Sequence, residues 1–166
     1  MACKVPKIPV CVAIVCCVVA LIFQLVAVVG TGWLVFSRGD RGGELGLFRS
    51  CINGMCADVP SSLMPDYWRV CQAYSILGLL TIAGSLVAGI LHSVFEDTAK
   101  VSVAAIASCV ASVLFLIIEL VMFGLESSSL RHETGLDFGY GFILSIIACI
   151  LSFLATLGFA VGSRMS

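Results

Sequence analysis

Two cysteines, Cys51 and Cys56, are the residues whose type and spacing most clearly predict a covalent bond in this chain. Asn53-Gly54, which lies between them, is the strongest two-residue hairpin signal, because both central residues of a type I′ turn need a positive φ. A hairpin centred there makes the cysteines a non-hydrogen-bonded pair, whose Cα atoms lie about 4.5 Å apart. Disulfides require about 4.4–6.8 Å. The spacing therefore predicts a disulfide-bonded hairpin, which we expect on the extracellular side, where such bonds persist.

Residues that could catalyse a reaction or bind a metal are sparse. The chain has two histidines, His92 and His132, and the apolar segments described below put them on opposite sides of a membrane. It contains no Ser-His-Asp arrangement, no phosphate-binding glycine loop and no metal-ligand spacing. The formal net charge is −1, without the basic patch that nucleic acids bind. We therefore expect no enzymatic activity, no cofactor, no metal ion and no nucleic-acid partner.

The elements that must position the hairpin follow from composition. The chain is 60% hydrophobic and 11% charged, with a mean hydropathy of +1.14, which indicates an integral membrane protein. Four segments are nearly free of charge and close to the length of about 20 residues that spans a bilayer as a helix. We predict one domain over residues 1–166, with spans at about 10–29, 73–91, 101–125 and 140–161 and outer loops at about 34–69 and 126–137.

The orientation of the chain follows from its ends and its disulfide. A signal peptide is the rival interpretation of the first segment, but the apolar run is long for one and no Ala-x-Ala cleavage site closes it. Four retained spans put both termini on the same side. Lysines on the short inner segments and the predicted outer disulfide favour cytoplasmic termini. We therefore expect a multi-pass protein of the plasma membrane, with the lipid bilayer as its first partner.

Two polar side chains fall inside the predicted spans. Glu119 is the one acid within a span, and Gln24 on the first span is predicted at a similar depth. A charged group at a helix centre costs about 2.5–3.5 kcal/mol on insertion scales. One interpretation is a Gln24–Glu119 hydrogen bond inside the bundle, with the acid able to be protonated. The other is an interfacial acid that reaches the outer water. A role in ion permeation or channel contact is a third hypothesis for Glu119.

The first outer loop contains the candidate partner contacts. Arg38-Gly39-Asp40 matches an integrin-ligand tripeptide, a hypothesis that rests on the motif alone. Exposed aromatic residues mark interfaces, and Trp and Tyr also settle at membrane surfaces. The loop charges are mixed in sign, so they predict no ion selectivity. The candidate contacts are Arg38, Asp40, Arg41, Tyr67 and Trp68.

The motifs of the first loop resemble those of one superfamily: claudins, the peripheral myelin protein, epithelial membrane proteins and the lens fibre membrane intrinsic protein. The matching residues are Trp33, Gly46, Leu47, Phe48, Cys51, Cys56, Tyr67 and Trp68. The resemblance implies an all-α membrane protein with a left-handed bundle of four transmembrane helices. It also implies a small extracellular antiparallel β-sheet, mostly from the first loop with a strand from the second. The whole chain would form a single claudin-like tetraspan domain.

Three departures from the pattern favour the epithelial and lens branch over classical claudins. Phe48 stands where the family usually has Trp, and Gln72 stands where an Arg usually opens the second span. The chain ends at Ser166 without the long tail that docks scaffold proteins.

The resemblance implies a structural function at cell junctions. We expect contact between cells through the extracellular sheet, with self-association or association with related tetraspan proteins in cis and trans. The alternative is an auxiliary subunit of an ion channel or receptor complex, and a paracellular pore is a weaker third hypothesis.

Overall fold

The computed structural model describes residues 8–38, 41–60, 65–94 and 99–164. Within them, four helices are long and apolar enough to cross a membrane. They are α1 (Ile8–Val29), α2 (Asp66–Val94), α3 (Ala99–Thr134) and α4 (Tyr140–Arg164). Five strands form one sheet: β1 (Leu34–Arg38), β2 (Arg41–Leu45), β3 (Arg49–Ile52), β4 (Met55–Asp58) and β5 (Asp137–Phe138).

The helices form a four-membered ring in which α1 packs on α2, α2 on α3, α3 on α4 and α4 on α1. The helices α1 and α3 are therefore diagonal to each other. The buried positions recur every three or four residues and are mostly small, as in Ala13, Cys17 and Ala20 of α1. Large aliphatic side chains such as Ile22 and Leu114 are exposed instead. Small residues inside and aliphatic residues outside are expected for helices that approach closely in lipid.

Two helices continue past the predicted spans. The helix α2 begins at Asp66, directly after Pro65, and an acidic first turn complements the helix dipole. The helix α3 continues to Thr134 and ends before Gly135, whose φ of 68° is the left-handed conformation that commonly follows a helix. Most of the predicted second loop is therefore helical, because charged residues end a membrane span without ending a helix.

The sheet has the strand order β4-β3-β2-β1-β5, and every pairing is antiparallel. The strand β5 comes from the second loop and pairs with β1, with Leu34 opposite Phe138. This is the sheet that the resemblance implies, with its last strand supplied by the second loop. We call the end of the bundle that carries it the outer end.

The predicted hairpin is confirmed. Asn53 and Gly54 have φ values of 50° and 81°, as a type I′ turn requires. Ile52 is opposite Met55, and Cys51 is opposite Cys56 in a disulfide with a Cα–Cα distance of 4.0 Å. The bond closes a very short loop, so its effect on chain entropy is small. What it does is fix the geometry of the β3–β4 hairpin.

Candidate functional site

An aromatic cluster at the outer end attaches the sheet to the bundle. Trp33 and Trp68 are buried on either side of Phe123 from α3, with ring-centroid distances of 4.8 Å and 5.3 Å. Phe142 of α4 lies 6.1 Å from the Trp33 ring. Phe48 and Tyr67 are partly buried against the same cluster. Residues of the sheet loop and of three helices therefore share one apolar core, which we call the aromatic anchor.

Hydrogen bonds from the indole groups explain why two tryptophans occupy these positions. A buried indole N–H needs an acceptor. The Trp33 Nε1 donates to the Ala27 carbonyl at the end of α1 (2.6 Å), and the Trp68 Nε1 donates to the Leu47 carbonyl of the sheet loop (2.9 Å). The Gln72 amide, one helical turn further along α2, donates to the same Leu47 oxygen (2.6 Å). Two hydrogen bonds to its carbonyl oxygen therefore hold Leu47 against α2.

The structure corrects one expected contact. Trp68 is 1% exposed and lies in the aromatic anchor, so it offers no surface to a partner. Tyr67 is only partly buried and keeps its place among the candidate contacts. Asp40 lies outside the described residues, as do the side chains of Arg38 and Arg41, so these three stay predictions.

Removing the Gln72 amide tests the pair of hydrogen bonds that the Leu47 carbonyl oxygen accepts. Because Trp68 keeps its own bond to that oxygen, we expect Gln72→Ala to cost about 1 kcal/mol of the free energy of unfolding, the net value of one hydrogen bond. The thermal midpoint of the purified protein in detergent measures this.

The matched control is Thr81→Ala, which removes a hydroxyl that bonds only within α2, to the Leu77 and Gly78 carbonyls. Equal midpoints for the two variants would mean that the Gln72–Leu47 bond does not stabilise the fold.

Close backbone contacts complete the attachment. The Gly141 N–H donates to the Gly32 carbonyl (2.6 Å), and the Gly139 N–H donates to the Trp33 carbonyl (2.9 Å). A Cβ on Gly141 would meet the Trp33 indole at 2.8 Å, closer than real side chains allow. The start of α4 therefore lies directly against the chain that joins α1 to β1.

The β3–β4 hairpin is the part of the sheet that projects from this anchor. Every described side chain of β4 is exposed. Ile52 and Met55, the pair next to the turn, are 52% and 79% exposed. Residues directly opposite each other in a ladder point to the same face, so these two form one apolar tip. An exposed ion pair, Arg49 to Asp58 at 3.5 Å, contributes about 0–1 kcal/mol at most, so the disulfide is what fixes the tip.

A second group of functional residues lies inside the bundle. Gln24, Ser75, Glu119 and Ser145 come from α1, α2, α3 and α4 in that order, and each is fully buried. The Gln24 Nε2 donates to Ser75 Oγ (3.1 Å) and to Glu119 Oε2 (3.3 Å), and Ser145 Oγ donates to the same carboxyl oxygen (3.4 Å). Glu119 is therefore an interior side chain that does not reach the outer water. We call these four residues the polar cluster.

Several residues of the two groups were missed by sequence reasoning. Ser75 and Ser145 are part of a buried three-to-four-residue periodicity in α2 and α4, which is the signal that could have found them. Phe123 and Phe142 resemble any lipid-facing phenylalanine until the helices are packed. Across the residues that the structure describes, no three His, Cys, Asp or Glu side chains are grouped closely enough to hold a metal ion.

Comparison with known proteins gives the family. The model of the PMP-22/EMP/MP20/Claudin family matches residues 8–157, a range that includes α1, α2, α3, the whole sheet and most of α4. No curated protein matches the chain. The match agrees with the four apolar helices and the small five-stranded antiparallel sheet. The chain therefore belongs to the PMP-22/EMP/MP20/claudin family of membrane proteins.

Proposed function

We propose that this chain is a non-catalytic, structural protein of the plasma membrane, with cytoplasmic termini, that mediates contact between cells through its outer sheet. The observation that carries the proposal is the apolar tip formed by Ile52 and Met55. A protein surface in contact with water tolerates single apolar side chains, but a rigid pair of them at the end of a projecting hairpin is a feature of interaction sites.

The attachment of the sheet supports this proposal. A flexible loop pays an ordering entropy on binding, whereas a preorganised surface does not. Here the sheet is held by the aromatic anchor and by two donors on Leu47, and the hairpin is closed by the Cys51–Cys56 disulfide. The tip is therefore presented in one orientation, which is what repeated contacts between copies in a junction require.

The disulfide also supports the orientation. Disulfides form and persist outside the cytosol, so the outer end faces the cell exterior and the termini face the cytoplasm. The expected partners are further copies or related tetraspan proteins in the same and in the opposite membrane.

The test is a double variant, Ile52→Ser with Met55→Ser, in a tagged chain expressed in cells that do not adhere. We expect the wild-type chain to concentrate where two expressing cells touch. Burial of a large apolar side chain contributes about 1.5–3 kcal/mol, so loss of both should weaken the contact at least about a hundredfold. Enrichment at contacts, measured by microscopy and normalised to surface level, gives the result.

The control is Ala57→Ser, an exposed change on the same strand outside the tip. It should leave the enrichment as in the wild type. If the wild-type chain stays diffuse and copurifies with a larger channel or receptor, the auxiliary-subunit alternative replaces this proposal.

A further inference from the structure

The polar cluster leaves two oxygen atoms without a hydrogen-bond partner. The amide group of Gln24 has two N–H groups, and one points to Ser75 while the other points to Glu119. The remaining atoms of the pair, Gln24 Oε1 and Glu119 Oε1, are both buried and unpartnered. Both are acceptors, and no donor among the described side chains reaches either of them. Buried polar groups are rarely left in this state, and each exception needs an explanation.

The lack of a neutralising charge beside Glu119 leads to the same conclusion, that the cluster needs a further hydrogen. The other three spans contain no Asp, Glu, Lys or Arg over residues 8–37, 70–95 and 138–163. Their one histidine, His92, lies in the last turn of α2, at the end away from the sheet, so no side chain of these spans beside Glu119 could neutralise a carboxylate. The titratable groups that face Glu119 are Cys71 on α2 and Cys149 on α4. The Cys71 thiol donates to the Glu119 backbone carbonyl and not to its side chain. At this level α1 contributes Gln24 and no titratable group.

The hydrogen bonds to the carboxyl group fall on one of its two oxygens. The bonds from Gln24 and Ser145 to Glu119 Oε2 are 3.3 Å and 3.4 Å. Both of them converge on Oε2, which acts as the carbonyl oxygen of the acid and leaves Oε1 to carry a hydrogen.

We propose that Glu119 is a proton-binding site in the membrane interior, with the proton on Oε1 donated to Gln24 Oε1. Acid and amide then bond each other in both directions, the amide N–H to Oε2 and the acid O–H to the amide oxygen. One proton satisfies both orphaned oxygens and removes the buried charge without needing space for an ion. The pair joins α1 to α3 across the diagonal of the ring, and Ser75 and Ser145 attach it to α2 and α4.

Infrared difference spectroscopy of the purified protein in lipid vesicles tests the proton directly. We expect the C=O stretch of a protonated carboxylic acid at neutral pH, shifted by deuterium exchange and absent from Glu119→Gln. The matched control is Glu126→Gln, an exposed acid further along α3, which should keep the band. Absence of the band from the wild type, or its survival in Glu119→Gln, overturns the proposal.

Stability against pH gives a second readout. In the folded state Glu119 holds a proton that an exposed acid in the unfolded state loses. The free energy of unfolding is therefore greatest at low pH, where Glu119 is protonated in both states, and it falls as pH rises. We expect the thermal midpoint of the wild type to fall by about 3 °C for each pH unit above about pH 5, and that of Glu119→Gln to stay level. The amide of Glu119→Gln supplies the missing donor, so it should fold with a midpoint near that of the wild type at low pH. A midpoint that rises with sodium in the wild type and not in Glu119→Gln would identify a bound cation and overturn the proton.

Discussion

Trp68→Ala is expected to lower the free energy of unfolding by about 3–5 kcal/mol, the usual cost of removing a buried aromatic side chain. Trp68 lies at the centre of the aromatic anchor, against Phe123 and Tyr67, and is almost fully buried. The change also removes one of the two donors on the Leu47 carbonyl. Because Leu47 connects the sheet loop to α2, we expect the outer sheet to lose its fixed position before the helices separate.

Trp68→Phe separates packing from hydrogen bonding. The ring keeps much of the apolar contact, while the Nε1 donor is lost and Gln72 remains on Leu47. We expect this variant to cost about 1–2 kcal/mol, from one hydrogen bond and a partial cavity. Thermal midpoints and the protease sensitivity of the outer loop measure both variants. A Trp68→Ala protein with the midpoint of Trp68→Phe would show that packing at this position contributes little.

The hairpin was predictable because its determinants are local. A type I′ turn at Asn53-Gly54 sets the register, and the register alone places Cys51 opposite Cys56. The four spans were predictable for a similar reason, since a bilayer requires long apolar helices whatever their neighbours are. Neither result depends on how the helices pack against one another.

The position of Trp68 could not be obtained this way. Tryptophan near the end of a span usually lies at the membrane surface, so the sequence favours an exposed side chain. The helix α2 starts at Asp66, however, so Trp68 lies in its first turn beside the sheet loop. The side chain that meets Leu47 is then Trp68, and burial follows from tertiary packing that no local rule contains.

The polar cluster likewise could not be predicted in full from local features of the sequence. The sequence identifies Gln24 and Glu119 as unusual, but it leaves open whether Glu119 faces the interior or the outer water. That choice depends on the rotation of α3, which is set by contacts with α2 and α4. Ser75 and Ser145 complete the cluster only when those helices are in place.

Gly46→Ala has the second large expected effect. An added Cβ would meet the Gly30 carbonyl oxygen, the Thr31 Cα at 2.8 Å and the Arg49 carbonyl oxygen at 2.9 Å. All three are backbone atoms, so no side chain can rotate away. The Gly46 N–H already donates to the Arg49 carbonyl (2.8 Å), which holds this turn closed. Forcing atoms into a filled site costs about 1–3 kcal/mol when neighbours can adjust, and we expect at least the upper value here.

Gly42→Ala is the matched control, because it makes the same change in the neighbouring strand β2. There the added Cβ would meet one atom, the Phe36 carbonyl oxygen, at an ordinary 3.8 Å. We expect this exposed change to stay within about 0.5 kcal/mol of the wild type. Thermal midpoints of both variants, with the level of protein that reaches the cell surface, give the comparison. We expect Gly46→Ala to lose stability because the backbone of the sheet loop lies in direct contact with the chain that leaves α1. Equal stability of the two alanine variants would contradict this close backbone contact at Gly46.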